Sequence, residues 1–560
     1  MNDIRRVLLW VVFAVSLIML WDHWQVYNGR PASFFPQRPT ATSAASAPLS
    51  SVPPPLASAS GAAGEATVTP GVPPSAMPAT AHERVEVSTD VLRLTFDTEG
   101  GSLVKSEFLQ YDEAGNKGHP LVLFDNSAAR VYMAQTGLIG GDFPTHKTLM
   151  HFSGERQLAD GQNQLVLKFE SEPVGGVQLV KTYTLTRGSY AIGVRHEVIN
   201  AGGAPAAPQL YLQLVRDGGK PPGESSFYST FTGPAVYSEE GKFQKVDFKD
   251  IEKNKTSFTQ KAASGYVAMV QHYFASAWVP ASGAQRENFA RKVSENLYAV
   301  GMIEPLGSIA AGGSKTLEAT LVVGPQREKM LESISPGLGL VKDYGILAII
   351  SKPLYWLLDH LHDLLGNWGW SIVALVLLIK IAFFWLNAKG YASMAKMKAV
   401  NPRIMEMRER LKDNPQEMQK EMMRIYREEK VNPLKGCLPI AIPIPVFIAL
   451  YYVLLSTVEM RGAPWVWWIH DLSASDPYYI LPIIMMLSMV LQTALNPAPP
   501  DPMQAKMMWI MPLAFSFMFF FFPSGLVLYY VTNNLLSIAQ QWIINRRMGV
   551  PVKFSLPKFR

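Results

Sequence analysis

The sequence predicts an α-helical membrane protein with six transmembrane helices and a large all-β sandwich domain held outside the membrane. Three observations predict this fold class. Five long apolar runs lie in the C-terminal part of the chain and a sixth lies at the N-terminus. Between them, short runs of alternating apolar and polar residues extend over roughly 250 residues. The basic residues behind the net charge of +6 cluster beside the apolar runs, which indicates a membrane partner and not nucleic acid.

Residues 1–25 are predicted to form an N-terminal transmembrane anchor. Arg5 and Arg6 precede the apolar run Val7–Leu20, as they would in an anchor or in a cleavable signal peptide. We favour the anchor because no A-x-A-like cleavage site follows the run and tryptophans flank it. Residues 26–81 are rich in Pro, Ala and Ser and carry little charge, which predicts a flexible linker.

Residues 82–335 are predicted to form one large β-sandwich domain. Alternation is clear in Val177–Thr186, and the triplet Glu99-Gly100-Gly101 is typical of a turn between strands. The fragment Gly313–Thr316 resembles the end of a phosphate loop, but its glycine spacing is wrong, so no nucleotide site is expected.

Polar residues on the predicted strands raise the alternative of sugar chemistry. His196, Glu197 and Asp217 could act as acid and base, but polar residues on strands more often form a solvated face, and we expect no catalysis there. A single cysteine, Cys437, excludes an intramolecular disulfide and a cysteine metal cage. No cofactor and no metal are expected.

An amphipathic helix is predicted at residues 342–366, lying along the bilayer surface. Leucines at helical spacing between Leu354 and Leu365 form one apolar face, with charged residues elsewhere. His360 and His362 are two residues apart and face different ways, so a metal site is not expected between them.

Residues 367–545 are predicted to hold five spans. The apolar runs are Gly369–Asn387, Gly436–Thr457, Tyr478–Leu495, Met507–Phe522 and Leu526–Ile544. The segment 388–435 and the tail 546–560 are both strongly basic, which places them in the cytoplasm. Counting the crossings then puts the N-terminus inside as well and the β domain outside.

The first of these five spans carries Lys380 with no acidic residue beside it. A lysine at the bilayer centre costs on the order of 3 kcal/mol, so it needs either an escape to the interface or a hydrated functional site. Snorkelling remains open because the cytoplasmic end of the helix is only about 10 Å away. We favour a hydrophilic groove because the last span is also polar, with Tyr529, Tyr530, Thr532, Asn533 and Asn534. The spans contain no acidic residue of the kind that a proton pump needs.

A basic helical hairpin is predicted within residues 388–435. Asn414 as N-cap, Pro415 at the first helical position and Glu417 at the third indicate the start of its second helix. Two interpretations stay open for the hairpin. Either its methionines pack the two helices against each other, or the methionines and basic residues together form an adaptable, positively charged docking surface for RNA-bearing or acidic partners and apolar nascent chains. The candidate docking residues are Met407, Arg408, Met418, Met422 and Arg424.

The sequence resembles the YidC/Oxa/Alb family of membrane protein insertases, in its Gram-negative bacterial form, over the predicted hairpin, the predicted spans and the β domain. The resemblance covers nearly the whole chain, including the QHYF segment at Gln271. In the C-terminal part it rests on YASMAKM at Tyr391, EKVNPLKGCLP at Glu429, ALYY at Ala449, WIHDLSASDPYYILP at Trp468, DPMQAKMM at Asp501 and FPSGLVLYY at Phe522.

The resemblance implies a five-span insertase core around a groove that is closed toward the periplasm, together with a periplasmic β domain. The basic residue of the family's groove, usually arginine, corresponds to Lys380, which keeps the charge but lacks the bidentate fork. Trp385 stands where the family usually has proline, so we expect a less kinked span. Pro443 stands where glutamine is frequent. Asn534 matches a family asparagine, and Asn533 replaces a serine.

The predicted function is a non-enzymatic insertase and chaperone of the bacterial inner membrane, which acts alone or with the Sec translocon through a hydrophilic groove carrying a positive charge. Both termini are expected in the cytoplasm. The partners that the resemblance implies are nascent membrane proteins, the Sec translocon, the ribosome, the signal recognition machinery and membrane lipids, and no nucleotide. Two other classes are weighed against it. A transporter would need intramembrane acids, and a tethered sugar-binding protein would show activity in the isolated residues 82–335.

Overall fold

A computed structural model describes residues 82–113, 116–221, 230–281, 283–411, 414–429, 443–496 and 502–547. The predicted anchor 1–25, the linker 26–81, Cys437 and the part of the tail beyond Arg547 lie outside the described residues, as does the end of the hairpin segment from residue 430.

Antiparallel strands form the first part of the described chain. They are β1 (Arg84–Ser88), β2 (Leu92–Asp97), β3 (Ser102–Glu113), β4 (Asn116–Val122), β5 (Asp125–Asn126), β6 (Val131–Ile139), β7 (Met150–Gly154), β8 (Gln164–Ser171), β9 (Val177–Thr186), β10 (Ala191–Asn200), β11 (Gln209–Asp217), β12 (Gly233–Ser238), β13 (Lys242–Lys245), β14 (Lys261–Ala262), β15 (Tyr266–Val270), β16 (Phe274–Pro280), β17 (Arg286–Ser294), β18 (Leu297–Pro305) and β19 (Ser314–Pro325).

These strands make two sheets that pack face to face. One sheet has the order β1-β2-β3-β6-β11-β18-β17-β14, with β4 paired to β3 and β5 to β6. The other has the order β13-β12-β15-β16-β19-β10-β9-β8-β7. The alternation seen in the sequence becomes alternating burial, as in β8 and β9, and the inward side chains form one apolar core. In that core the ring centroids of Phe96 and Tyr183 are 4.8 Å apart. The predicted β-sandwich is confirmed.

Polar groups also lie between the two sheets. His196 is fully buried, with Nε2 3.0 Å from Oγ1 of Thr136. Lys181 is likewise buried and donates hydrogen bonds to the carbonyl oxygens of Gly100 and Thr136. The expectation that His196 belongs to a solvated face is therefore wrong. Its strand is covered on that face by the opposite sheet, and the Thr136 hydroxyl lies within hydrogen-bond distance of one ring nitrogen, Nε2.

The helices follow mostly after the strands. Two short ones, α1 (Phe248–Glu252) and α2 (Glu328–Ile334), accompany the sandwich. The others are α3 (Ala348–Leu365), α4 (Trp368–Ala382), α5 (Phe384–Arg410), α6 (Pro415–Glu428), α7 (Pro443–Ser456), α8 (Ile480–Leu495), α9 (Pro502–Met518) and α10 (Ser524–Arg547). The predicted start of the second hairpin helix is confirmed, because the Asn414 side chain accepts a hydrogen bond from the backbone N–H of Glu417 and Pro415 follows the cap.

Length and apolar composition single out one pair of helices as a candidate membrane span. Within the described ranges, no helix taken singly is long and apolar enough to cross a bilayer. The segments Trp368–Ala382 and Phe384–Gly390 meet that requirement together and bend by 64° at the break between them.

This bend differs from what the sequence predicts. Tryptophan at position 385 in place of proline led us to expect a straighter helix, yet α4 ends at Ala382 and α5 begins at Phe384, with Phe383 between them. A tertiary contact accompanies the break, because the Nε2 amide of Gln540 lies 3.4 Å from the carbonyl oxygen of Phe384. A bend without proline is possible where another helix supplies hydrogen bonds to the freed backbone.

The last helix, α10, is the centre of the helical part. It packs against α4, α5, α7 and α8, while α3 packs against α4 and α7. Buried side chains from these helices form a second apolar core, separate from that of the sandwich. Because α10 touches four helices, its buried sides meet different neighbours, and this decides where its polar residues point.

Candidate functional site

A recess opens between α4, α5, α7 and α10. Its empty volume is about 370 Å³, including its open mouth. Most of its wall is apolar, and a lysine and two asparagines supply polar groups. The lining residues are Ile379, Lys380, Phe383, Asn387, Val446, Phe447, Tyr529 and Asn533.

Lys380 lies in the last turn of α4, just before the bend. Its Nζ atom donates a hydrogen bond of 2.7 Å to Oγ of Ser537 on α10. The Ser537 hydroxyl in turn donates to the carbonyl oxygen of Asn533, also at 2.7 Å. Among the residues that the structure describes, no carboxylate neutralises Lys380. The recess therefore holds a cation whose described partner is a neutral hydroxyl.

One face of α10 supplies the polar groups on this side. Tyr529, Asn533 and Ser537 are spaced four residues apart, so they lie one above the other along the helix. The Tyr529 ring packs against Phe447, with ring centroids 5.1 Å apart, and this contact joins α10 to α7. Three of the predicted groove residues, Lys380, Tyr529 and Asn533, are thus brought together at the recess.

The other three predicted groove residues lie elsewhere on α10. Asn534 is buried against α8, where its Nδ2 donates to Oγ of Ser488 at 3.2 Å. Tyr530 packs against Phe447 and Phe519, beside the recess but not in its lining. Thr532 is half-buried and is turned about 100° around the helix from Asn533.

Some polar residues near the recess are absent from the predicted set. Asn387, after the bend, is 6% exposed and lines the recess. Gln540 and Gln541 are also buried on α10, and Nε2 of Gln541 lies 3.3 Å from Oδ1 of Asn496. Helical spacing of seven or eight residues from Asn533 would have found both glutamines.

The hairpin formed by α5 and α6 places its methionines on two surfaces. Met407 is buried beside Val400, Ile404 and Ile425, with Met418 and Met422 packed against this cluster. In contrast, Met405 and Met423 are 54% and 55% exposed.

The two basic residues predicted for the hairpin differ in their surroundings. Arg424 is largely exposed and pairs with Glu421 and Glu428 on its own helix, each at 3.1 Å. Arg408 is half-buried.

Comparison with known proteins fits both halves of this architecture. Residues 84–357 match the family described as the YidC periplasmic domain, and residues 360–550 match the family described as 60Kd inner membrane protein. A membrane protein insertase YidC from Cupriavidus necator is 54% identical over 98% of each chain. One from Ralstonia nicotianae is 54% identical over 99% of this chain and all of the relative.

The chain belongs to the YidC family of membrane protein insertases. A crystal structure of an active YidC insertase with its first transmembrane domain resolved is 20% identical and covers 82% of this chain and 92% of the other, with a TM-score of 0.36. From the family matches and the curated relatives, the protein is a YidC-type insertase of the inner membrane with a periplasmic domain, and its substrates are membrane proteins. It inserts proteins and is not an enzyme.

Proposed function

We propose that this YidC-type insertase works through the recess beside Lys380. The lysine attracts acidic groups in the hydrophilic segment of a substrate into the recess. This attraction lowers the free-energy cost of moving that segment partway across the bilayer. The apolar segment of the substrate meanwhile moves along the helix faces into lipid. No bond is made or broken in this process.

The single observation that carries the proposal is the orientation of Lys380. Its Nζ atom points to Ser537 inside the helix bundle and lines the recess. A snorkelling lysine would instead extend along its own helix toward the interface. The contact with α10 therefore supports the groove interpretation over snorkelling.

Magnitudes are consistent with this role. Placing one acidic side chain at the centre of a bilayer costs about 3 kcal/mol. A unit positive charge 4 Å away returns about 4 kcal/mol at an effective dielectric constant of about 20. One lysine is thus sufficient to offset the entry of one carboxylate.

The topology that goes with this mechanism has six spans, an anchor within residues 1–25 and five in the helical core, with both termini in the cytoplasm. Hydrogen bonds between the loop 457–479 and the start of α10 support closure on the periplasmic side. The backbone N–H and the hydroxyl of Ser524 both donate to the carbonyl oxygen of Ala474, at 2.7 and 2.8 Å. This contact lies about 7.5 Å along the helix from Tyr529, which lines the recess.

Further partners follow from the surfaces. The basic hairpin receives substrates from the ribosome and the signal recognition machinery, with Met405 and Met423 as its exposed apolar residues. The helix α3 lies on the membrane lipids through exposed residues such as Trp356 and Leu364. Substrates with several spans are handed over from the Sec translocon, beside which the protein acts as a chaperone.

The test is insertion into liposomes that contain only this protein. The substrate has a single span and a translocated tail that is either acidic or neutral. Lys380→Arg is expected to retain insertion of the acidic tail, whereas Lys380→Ala and Lys380→Glu lose it. Lys506→Ala, an exposed lysine of α9, is the matched control. If Lys380→Ala inserts the acidic tail as fast as the wild-type protein does, the positive charge is not required for insertion.

A further inference from the structure

Lys342 is a buried lysine at the point where the chain leaves the β domain. It follows the 3₁₀ turn Leu338–Val341, and its side chain has no exposed surface. Its Nζ atom lies 3.6 Å from the centroid of the Tyr355 ring and 3.7 Å from Oε2 of Glu459. A buried lysine needs a compensating charge, and Glu459 is in position to provide it.

Glu459 belongs to the turn Val458–Met460, directly after α7. Its Oε1 accepts a hydrogen bond of 3.0 Å from the Tyr355 hydroxyl on α3. The preceding residue, Val458, is fully buried in the apolar core of the sandwich. Lys342, Tyr355 and Glu459 therefore join three separate parts of the chain, namely the exit of the β domain, the surface helix α3 and the end of α7.

The Lys342–Glu459 pair is held by charge and by the aromatic ring. Neither Lys342 Nζ nor Glu459 Oε2 has a hydrogen-bond partner among the described residues. Burial lowers the pKa of Lys342, and the nearby carboxylates of Glu459, Glu328 and Asp359 oppose that shift. Such a pair contributes little net stability compared with an apolar pair, but loss of one partner leaves a buried charge unpaired.

Two hydrogen bonds attach the same end of α7 to the β domain. Nε2 of His272 lies 2.8 Å from the carbonyl oxygen of Leu455, the penultimate residue of α7. Arg461 donates a bond of 2.6 Å to the carbonyl oxygen of Asp112. About 13 Å further along α7, Val446 and Phe447 line the recess. The orientation of α7 is thus fixed at one end by the β domain while its other end forms the wall of the recess.

We propose that Lys342 and Glu459 are positioning residues for insertion, because their buried pair fixes the β domain and α3 on the end of α7 and so sets the wall of the recess. The role of this pair is geometric, since neither residue lies in the recess, and the inference rests on the function proposed above for that recess. Substitutions are therefore expected to change insertion and the placement of the β domain together.

The experiment uses the full chain in liposomes with four variants: Lys342→Met, Glu459→Gln, the double variant, and Lys352→Met as a matched control at an exposed lysine. Spin labels at the exposed positions Ser153→Cys and Ser475→Cys, with Cys437→Ser, report the distance between the β domain and the helical part. Insertion rates are measured on the same samples.

Each single variant is expected to lower the insertion rate about tenfold and to broaden the distance distribution, because one buried charge is left unpaired. The double variant is expected to recover to within about threefold of wild type, since it carries neither charge. Lys352→Met behaves as wild type. If Lys342→Met does not fold, the result for Glu459→Gln tests the proposal. The glutamine amide oxygen can still accept the hydrogen bond from the Tyr355 hydroxyl, so this variant keeps that contact.

Three outcomes overturn the proposal. Wild-type insertion by both single variants would show that the pair is dispensable. A broadened distance with unchanged insertion would show that placement of the β domain does not affect the recess. Equal loss in the single and double variants at an unchanged distance would show that the residues act by something other than positioning.

Discussion

Lys380 donates a hydrogen bond to Ser537 across 2.7 Å, although 157 positions separate the two residues in the sequence. The contact links the last turn of α4 to the middle of α10. It also orients the Ser537 hydroxyl, whose proton is directed to the carbonyl oxygen of Asn533. The Lys380 side chain thereby lies at the wall of the recess.

Ser537→Ala removes the acceptor that orients Lys380. A hydrogen bond to a charged group is worth about 1.5 to 3 kcal/mol, and part of this remains if the lysine finds water. We expect insertion of an acidic-tailed substrate to fall about threefold. In a Lys380→Met background the same change has no further effect, because the two residues act as one unit. A double-mutant cycle on insertion rates checks this, and additive losses would contradict it.

Met407→Ala is expected to weaken the pairing of α5 and α6. Truncating a buried methionine costs about 2 kcal/mol or more, and Met407 is 4% exposed in the hairpin cluster. Faster amide hydrogen exchange in α6 is the measurement. The control is Met405→Ala, which removes an exposed side chain of the same helix and should change exchange little.

The exposed methionines of the hairpin carry a separate prediction. Met405→Ser together with Met423→Ser is expected to reduce photocrosslinking of the hairpin to an apolar nascent chain several-fold, since both side chains face away from the helix pair. Exchange protection of α6 should stay at the wild-type level. Undiminished crosslinking would mean that these exposed methionines do not contact the nascent chain.

Gly100→Ala is expected to destabilise the β domain strongly. Gly100 has φ +70°, and an added Cβ would lie 2.3 Å from the carbonyl oxygen of His146. Gly161 has φ +84° with open space around it, so Gly161→Ala isolates the backbone strain, about 1 kcal/mol. Gly100→Ala adds a steric clash and should exceed about 3 kcal/mol. Thermal unfolding of the two variants in nanodiscs compares them, and equal losses would rule out the clash.

Acid is expected to destabilise the β domain through His196. Burial, reinforced by the charge of Lys181, lowers the pKa of His196 from 6.5 to about 3. Between these values the unfolded chain binds the proton and the folded chain does not, so stability rises with pH and is lost as the pH falls. The slope from this histidine reaches about 1.4 kcal/mol per pH unit.

The measurement for this prediction is the unfolding free energy at a series of pH values in that window. His196→Gln should flatten the slope, because glutamine can still reach Thr136 but does not titrate. Part of the dependence of the unfolding free energy on pH should remain in this variant, because burial also lowers the pKa of His146 to about 3. A slope in His196→Gln identical to that of wild type would show that His196 does not carry this acid sensitivity.

Features that depend on neighbouring residues in the chain could be predicted from the sequence. The strand Val177–Thr186 was expected from its alternation, and the structure has it with the same bounds. The helix start at Asn414 and Pro415 was expected from capping chemistry. The sandwich class followed from many such local patterns, and the insertase family from several specific segments. Strand alternation and capping are local effects, so one segment is enough to show them.

The partners of the polar side chains could not be predicted in this way. Asn533 and Asn534 are adjacent in the sequence, yet one lines the recess and the other is bound to Ser488 on α8. The bend at Phe383 and the burial of His196 were likewise decided by the elements that face them.

By itself, the sequence determined the class of fold, the family and the presence of a charge in an apolar helix. Only the tertiary structure decided that Lys380 meets Ser537 and that Lys342 meets Glu459. The physical reason is that a helix has several faces, and hydrophobic burial fixes which face meets which neighbour only when all the helices pack together.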